Sequence, residues 1–509
     1  MLKRNLIANY LGQVWNALMG LAFLPLYIHY IGIESYGLIG LFGVITASLS
    51  LLDMGMTPTL SREMARFTGG EHTAESIRDL LRSIEVITFS IAALIAVTLT
   101  LSSHWLASSW LQAKDLPVAI VSQAFSIMGL VAALRFVETI YRSSLVGLQR
   151  QVLFNAINSL LATVRGLGSV AILALVSPTI QAFFFWQGLV SIITLATLSC
   201  TIYSILPTAQ RPGRFSWQVL RQIWGYAGGM MGITFLALLL TQVDKVLLSK
   251  LLTLTEYGYY TLAATVAGAL YMLISPITQA WFPRLTQLFA SQDFPKLIRT
   301  YHQGAQLVTV VLGSAALVIT FFSEIFLQLW TQNFELAQRT APLLSLLVLG
   351  NLLNFLMWIP GQTQLAYGWT ILGVQTNIVA VSFFVPAILW VTPRYGSVGA
   401  AWSWVSLNAA CLLIGVHFMY RRILKTEKWL WYRQDLLYPL ISAVVVVGII
   451  RCLLPNPVSW FSQLGTLVLA SISTFFAAML SANRIREQVK KIFVSSLKTL
   501  RAKRLGEKL

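Results

Sequence analysis

Apolar runs of twenty residues or more follow one another along almost the whole chain, each cut from the next by a short polar or turn-forming stretch. A helix needs about 20 such residues to cross a hydrocarbon core roughly 30 Å thick. Windows of that length predict fourteen spans, at 7–30, 37–61, 83–103, 117–141, 153–177, 180–205, 224–249, 257–281, 302–323, 340–360, 370–391, 397–420, 436–455 and 460–481. The expected fold class is an all-α polytopic membrane protein. Pro342 and Pro360 bracket the tenth span.

One break between spans occurs twice. Tyr30-Ile31-Gly32-Ile33-Glu34-Ser35-Tyr36-Gly37-Leu38 joins two apolar stretches, and Leu251-Leu252-Thr253-Leu254-Thr255-Glu256-Tyr257-Gly258-Tyr259 joins two more. Tyr36-Gly37 then lies over Tyr257-Gly258, 221 residues on. An even number of spans precedes the second copy, so both copies enter the membrane in the same direction. Parallel repeats of this kind relate two halves by an axis along the membrane normal. The expected organisation is an N-lobe of six helices at 1–209, a C-lobe of six at 210–420, and two further helices with a basic tail at 421–509. The polar Gln210-Arg211-Pro212-Gly213-Arg214 stretch links the lobes.

Composition narrows the class. Hydrophobic residues make up 57% of the chain and charged ones 11%, and the mean hydropathy is +0.72, too apolar for a soluble domain. Cys200, Cys411 and Cys452 stand in or beside apolar spans with no C-x-x-C spacing, which argues for packing and against a disulfide framework or a zinc site. The N-terminal span is longer than the core of a signal peptide and lacks a small-residue cleavage site, so it is expected to be retained.

A net charge of +18 could point to nucleic acid, but the placement of the cations decides otherwise. With the N-terminus inside, 28 of the 36 Lys and Arg fall on the cytoplasmic face, 5 on the other and 3 within spans. The positive-inside rule therefore favours both termini in the cytoplasm. External loops reach only about 15 residues, and none of the six aspartates forms Asp-x-Asp. Neither a sizeable aqueous catalytic loop nor an acidic nucleotide-sugar site is present in the sequence.

Charges inside the spans are costly and tend to face a cavity or a partner. Arg165 lies about 12 residues into its span, roughly 18 Å along at 1.5 Å per residue and too deep for easy snorkelling. A guanidinium there suits a phosphate or pyrophosphate, because it stays charged and presents a planar fork of donors. Pairing with a carboxylate on a neighbouring helix is the plainer alternative. Arg135, Glu138 and Arg142 fall at i, i+3 and i+7 on one face of the fourth span, so Glu138 is expected to bridge both arginines locally. Arg135 is the member assigned to a cavity.

Asp244 and Lys245 come late in the seventh span. Adjacent positions are about 100° apart on a helix, so the two are expected to pair poorly with each other. Lys245 then serves to attract an anionic head group and Asp244 to bind a coupling proton or cation, with interhelix pairing the alternative for both. Arg62 and Arg284 close the second and eighth spans at nearly equivalent repeat positions, with Pro58 and Pro276 inside those spans to bend them. They suggest a gate at the cytoplasmic mouth, although ordinary interface charges look the same. Asp53 is better placed for Arg62 or a helix end than for chemistry.

The remaining polar residues carry less. Gln13, Asn16, Gln242 and Gln279 are taken as hydrogen-bonding glue between helices. The five histidines show no ligand spacing, and no metal is expected. Basic residues interleaved with Trp429, Trp431 and Tyr432 make 421–435 a candidate interfacial belt, and Ile485, Val489, Ile492, Leu497 and Leu500 make the tail a candidate surface helix.

The run Tyr30 to Arg62, with Tyr-Ile-Gly-x-x-x-Tyr-Gly, Leu52-Asp53-Met54-Gly55 and Ser61-Arg62, resembles the opening of the polysaccharide biosynthesis proteins. These include the O-antigen repeat-unit flippases of the MATE-like multidrug/oligosaccharidyl-lipid/polysaccharide superfamily. Gly147-Leu148-Gln149-Arg150 resembles the family's segment after the fourth helix, and Asp244 followed by Glu256-Tyr257-Gly258-Tyr259-Tyr260 its seventh-to-eighth helix junction.

The resemblance implies a V-shaped bundle with a cationic cavity and alternating access. Its cargo would be a polyprenyl-diphosphate-linked oligosaccharide, carried from the inner to the outer leaflet of a bacterial cytoplasmic membrane for O-antigen, capsule or exopolysaccharide synthesis. The last two helices would help accommodate the polyprenyl tail. Drug-exporting relatives have 12 helices, so the extra pair favours lipid-linked sugars, and the sparse basic residues of the first helix disfavour a peptidoglycan precursor.

On this expectation the protein is not an enzyme. It needs no cofactor beyond a coupling proton or sodium ion, and its partners are the lipid-linked oligosaccharide, bilayer lipids and other polysaccharide-assembly membrane proteins. A cation-coupled multidrug exporter is the runner-up, a glycan polymerase or ligase more remote, and a membrane scaffold the non-catalytic alternative.

Overall fold

The structure is a computed structural model, and it describes residues 2–68, 72–208, 211–217, 221, 239, 241–369, 371–454, 459–488 and 490. Side chains are described throughout these except at 2–8, 10, 275, 279 and 280. Among the described residues the chain is helical, with a single bridge between Gln112 and Thr253 and no strand.

The first seven helices are α1 (Leu2–Ala22), α2 (Leu24–Leu52), α3 (Met56–Thr68), α4 (Ala74–Trp110), α5 (Val118–Gly147), α6 (Gln151–Leu175) and α7 (Ile180–Ile205). Then come α8 (residues 241–251), α9 (Leu254–Ala290), α10 (Phe294–Phe321) and α11 (Ser323–Thr331). The last four are α12 (Phe334–Ala366), α13 (Ile371–Arg422), α14 (Lys428–Leu453) and α15 (Trp460–Ser481). Local sequence sets many of the starts. The side chains of Thr73, Thr179, Asn333 and Ser459 each accept a hydrogen bond from a first-turn backbone N–H, satisfying a donor that the helix cannot.

Eleven helices among the described residues are long and apolar enough to cross a membrane. Their outward sides are greasy: Leu101, Leu175 and Phe461 are at least 80% exposed, which suits hydrocarbon and not water. The protein is a multi-pass membrane protein. The count of fourteen is not reached among the described residues: the expected span 224–249 lies largely outside them, and the expected span 7–30 is divided between α1, which is not among the eleven, and the start of α2. α13 holds two expected spans, parted at Gly396, whose φ of 61° only glycine adopts readily. The expected amphipathic tail beyond 490 also lies outside the described residues.

The chain forms two compact units, Met1–Thr261 and Leu262–Leu509. In the first, α2 is broken at Gly32 (φ 77°), inside the first copy of the duplicated motif, and Glu34 is buried just beyond it. Its carboxylate accepts the backbone N–H groups of Lys114 and Asp115 at 2.7 and 3.0 Å. The two Tyr-Gly copies meet. A Cβ on Gly37 would lie 2.8 Å from the carbonyl oxygen of Leu254, and one on Gly258 would collide with the carbonyl of Ile33. Glycine at both positions is what allows the backbones to come this close.

The second expected span is cut short. α2 ends at Leu52, and α3 starts after a turn in which Met54 and Gly55 take positive φ. Asp53 sits at this turn and accepts the Thr57 N–H on both oxygens at 3.1 Å, so the helix-end assignment of Asp53 is the observed one. Pro58 is therefore in the first turn of α3, where its missing N–H costs little, and not inside a bent span. Pro276 does lie within a helix. The 211–217 stretch is tied back to α4: Arg211 binds Asp79 at 2.7 and 3.0 Å, and the N–H of Arg214 donates to the same carboxylate.

In the second unit, α10 packs with α12 and with the α14–α15 hairpin. The aromatic belt expected at 421–435 is only partly interfacial. Trp429 is exposed, whereas Trp431 is fully buried against Tyr420 and Tyr432.

Candidate functional site

Two arginines approach one carboxylate in the first unit, and a third stands on the same helix as that carboxylate. Arg135, Glu138 and Arg142 stand along α5, whose face toward α4 and α7 is closely packed, and Arg165 projects from the middle of α6. Glu138 is buried, its side chain 3% exposed, and is approached by the Arg142 guanidinium at 3.8 Å and the Arg165 guanidinium at 3.9 Å. Arg142 also donates to Asn158 Oδ1 at 3.0 Å. Arg135 donates to Gln187 Oε1 on α7 at 2.7 Å and lies over the Phe42 ring, 4.8 Å from its centroid. Gln187 in turn donates to Ser169 on α6 at 3.0 Å.

The local expectation for Glu138 is thus corrected. It does not bridge Arg135 and Arg142; it lies between Arg142 and Arg165, because the amide of Gln187 and the face of Phe42 draw Arg135 away. Arg165 is held through its backbone too: its carbonyl accepts the Ser169 hydroxyl at 2.8 Å and the Trp186 indole N–H at 3.2 Å. Its side chain remains 21% exposed.

The charges do not balance. Among the described residues, three guanidiniums share this neighbourhood with one carboxylate, an excess of two positive charges among apolar helices. The contacts to Glu138 exceed hydrogen-bond length, and the Nε atoms of Arg135, Arg142 and Arg165 have no hydrogen-bond partner. A guanidinium carries five N–H donors in a fixed fork. Unspent donors, excess charge and burial together describe a site able to receive an anion with several acceptor oxygens.

Asp244 and Lys245 form a second group, and here the helical-wheel expectation fails. Lys245 Nζ reaches Asp244 at 3.2 and 3.3 Å while donating to the Thr241 carbonyl at 2.7 Å, since its flexible stem folds back along the helix. Asp244 also accepts from the buried Tyr260 hydroxyl at 3.0 Å. Of the expected gate residues, Arg62 lies on α3 in the first unit, and Arg284 lies on α9 in the second, donating to Gln287 Oε1 at 2.8 Å. Among the described residues Asn16 makes a local bond, to the Gly12 carbonyl at 2.6 Å, and the Gln279 side chain lies outside the described residues.

Sequence reasoning missed Gln187, Ser169, Asn158 and Phe42. Their one visible signal is an amide in the middle of an apolar span, as at Gln187. Two cavities lie apart from the arginines. One of about 350 Å³ sits between α1 and α6, lined by Trp15, Val152, Asn155 and Ser159. Another of about 360 Å³ in the second unit is lined by Ser323, Glu324, Gln338, Ser345 and Arg451.

Residues 2–289, more than half of the chain, match the family described as polysaccharide biosynthesis protein. The chain belongs to that family. It is 19% identical over 421 residues to a Shigella flexneri protein named for O-antigen transport, covering 82% of this chain and 98% of that one.

The fold of this polysaccharide biosynthesis family member is shared with a solved lipid II flippase, MurJ, in an inward closed conformation. The TM-score is 0.67 at 13% identity, covering 95% of this chain and 99% of MurJ. It is also shared with an inward-facing multidrug resistance MATE transporter of the MOP superfamily, at a TM-score of 0.57 and 16% identity over 81% of this chain and 96% of that one. The MATE-like fold class expected from the resemblance is therefore the observed one.

Proposed function

We propose that this protein is a flippase for a polyprenyl-diphosphate-linked oligosaccharide, moving it from the inner to the outer leaflet of the bacterial cytoplasmic membrane for surface polysaccharide synthesis. The observation that carries the proposal is the approach of Arg142 and Arg165 to the carboxylate of Glu138, with Arg135 held nearby by Gln187 and Phe42. A diphosphate is the polar part of such a carrier lipid. Its oxygens accept forked hydrogen bonds from guanidinium groups, and its charge offsets the local excess. Arg165 holds the diphosphate, Arg135 and Lys245 supply positive potential along the path, and Glu138 keeps the empty site from self-repulsion.

Family membership and the names borne by relatives support transport of a lipid-linked cargo. The expected lobes, 1–209 and 210–420, would rock to expose the site alternately, with Arg62 and Arg284 at the cytoplasmic mouth. Asp244, already partnered by Lys245 and Tyr260, is the proposed coupling residue of this half.

The test is genetic and chemical. Deleting the gene should strand completed polyprenyl-linked repeat units on the inner leaflet, detectable by lipid extraction and leaflet-selective labelling. Arg165→Ala should reproduce that loss while the protein still inserts at wild-type level. Normal glycan export by the Arg165→Ala variant would discard the assignment.

A further inference from the structure

We infer that His302, Glu427 and Asp435 form a proton-binding site that fastens the C-terminal helix pair to α10. His302, on α10, and Asp435, on α14, are both fully buried. The ring Nδ1 of His302 hydrogen-bonds Asp435 Oδ2, and its Nε2 lies 3.1 Å from Glu427 Oε2. The argument is one of donor count. Carboxylates only accept, and a neutral imidazole has one N–H to give and one lone pair. With both neighbours ionised and the ring neutral, one of these two contacts would set lone pair against lone pair. The arrangement closes only with one proton more, carried by the ring as imidazolium or by one of the carboxyl groups.

Among the described residues the ring of His302 has no other hydrogen-bond partner. The other oxygen of Asp435 accepts from Gln306 Nε2 at 2.9 Å, and Gln306 Oε1 accepts the backbone N–H of Arg484 at 2.9 Å, so the amide is fixed at both ends. Titratable groups that act on the cluster include Tyr301 on α10, Tyr420 at the end of α13, Tyr432 on α14 and Arg484 beyond α15. Tyr301 and Tyr420 are joined to each other at 2.6 Å. Three cations of the 421–428 segment are directed elsewhere: Lys428 donates to His417 at 2.7 Å, and Arg421 and Arg422 stack on Phe418 and Trp369. The α12 segment packed on α10, Trp358–Ala366, carries no titratable side chain.

Two stretches of chain distant in sequence, α10 and residues 427–435, meet at this one proton, and the residue Arg484 beyond α15 is joined beside it through Gln306. While the proton is bound, His302 holds Glu427 and Asp435 together, in addition to the proton-independent bonds of Gln306. When it leaves, Glu427 is the partner that must withdraw, because its side chain is 16% exposed whereas Asp435 is sealed in. The bound proton therefore stabilises the folded state at low pH, and that contribution is lost as pH rises. The site is independent of the arginine cluster and of the cargo, and its test reads no transport.

The experiment is thermal unfolding of the full chain in one detergent between about pH 5.5 and 8.5, the range that brackets ordinary imidazole titration. The wild-type Tm should fall by about 3 °C or more toward the alkaline end. In Glu427→Gln the amide can donate to Nε2 while Nδ1–H serves Asp435, so no extra proton is needed and the fall should disappear. Asp435→Asn satisfies the ring in the reverse sense and should flatten the curve in the same way. A flat wild-type curve overturns the proposal, as does a slope that persists unchanged in the variants. The wild-type measurement decides by itself should neither variant fold.

Discussion

Arg165 alone would be an expensive residue at mid-membrane, and it is Glu138 that makes it tolerable. The pair is loose, at 3.9 Å, and the same carboxylate is shared with Arg142. Glu138→Gln removes the one carboxylate that Arg142 and Arg165 approach among the described residues. Stripping one partner from a buried ionic group typically costs about 3 kcal/mol, so this variant should unfold at a lower temperature than wild type. Added inorganic pyrophosphate should recover much of the loss by occupying the site. Wild-type stability with no response to pyrophosphate would mean that the three arginines do not act as one anion site. Arg165→Lys tests fork geometry against bare charge: export should fall about tenfold or more, because an ammonium cannot give two parallel hydrogen bonds.

Between helices, the contact that matters most is the approach of the two Tyr-Gly copies. Gly37→Ala and Gly258→Ala each drive a methyl toward a backbone carbonyl that cannot swing aside. Overpacking of this kind costs about 1–3 kcal/mol. Gly43, with nothing within 4 Å of its would-be Cβ, is the control, and Gly43→Ala should change stability by no more than about 0.5 kcal/mol. Unfolding curves in detergent compare the three. Equal curves for Gly37→Ala and Gly43→Ala would show that the close approach is not a constraint. The break at Asp53–Gly55 is the other lesson of this scale. Hydropathy runs smoothly across it, so a window over 37–61 predicts one span, whereas the Asp53 carboxylate and the positive φ of Met54 and Gly55 end one helix and begin the next.

Across the whole molecule, the C-terminal pair of helices is bound into the second unit by polar as well as apolar contacts. Truncation after residue 420 would remove Glu427, Asp435 and Arg484 together, leaving His302 and Gln306 buried without their partners. The truncated protein should fail to give a monodisperse peak on size exclusion in detergents that keep the full chain intact. A well-behaved truncation would mean that the pair is an accessory and not part of the fold.

By itself the sequence determined the membrane class, most of the spans, the duplicated motif and the identity of the charges that must be explained. These are properties of local composition and period: apolar length decides insertion, and a lone Arg165 in an apolar run stands out without any knowledge of its neighbours. Only the tertiary structure decided who pairs with whom. Glu138 serves Arg165 and not Arg135, Lys245 folds back onto Asp244, and His302 finds Asp435 across 133 residues. Those choices depend on how each helix is rotated about its axis and how far a flexible side chain can reach, and neither is encoded in the spacing of residues along one strand of chain.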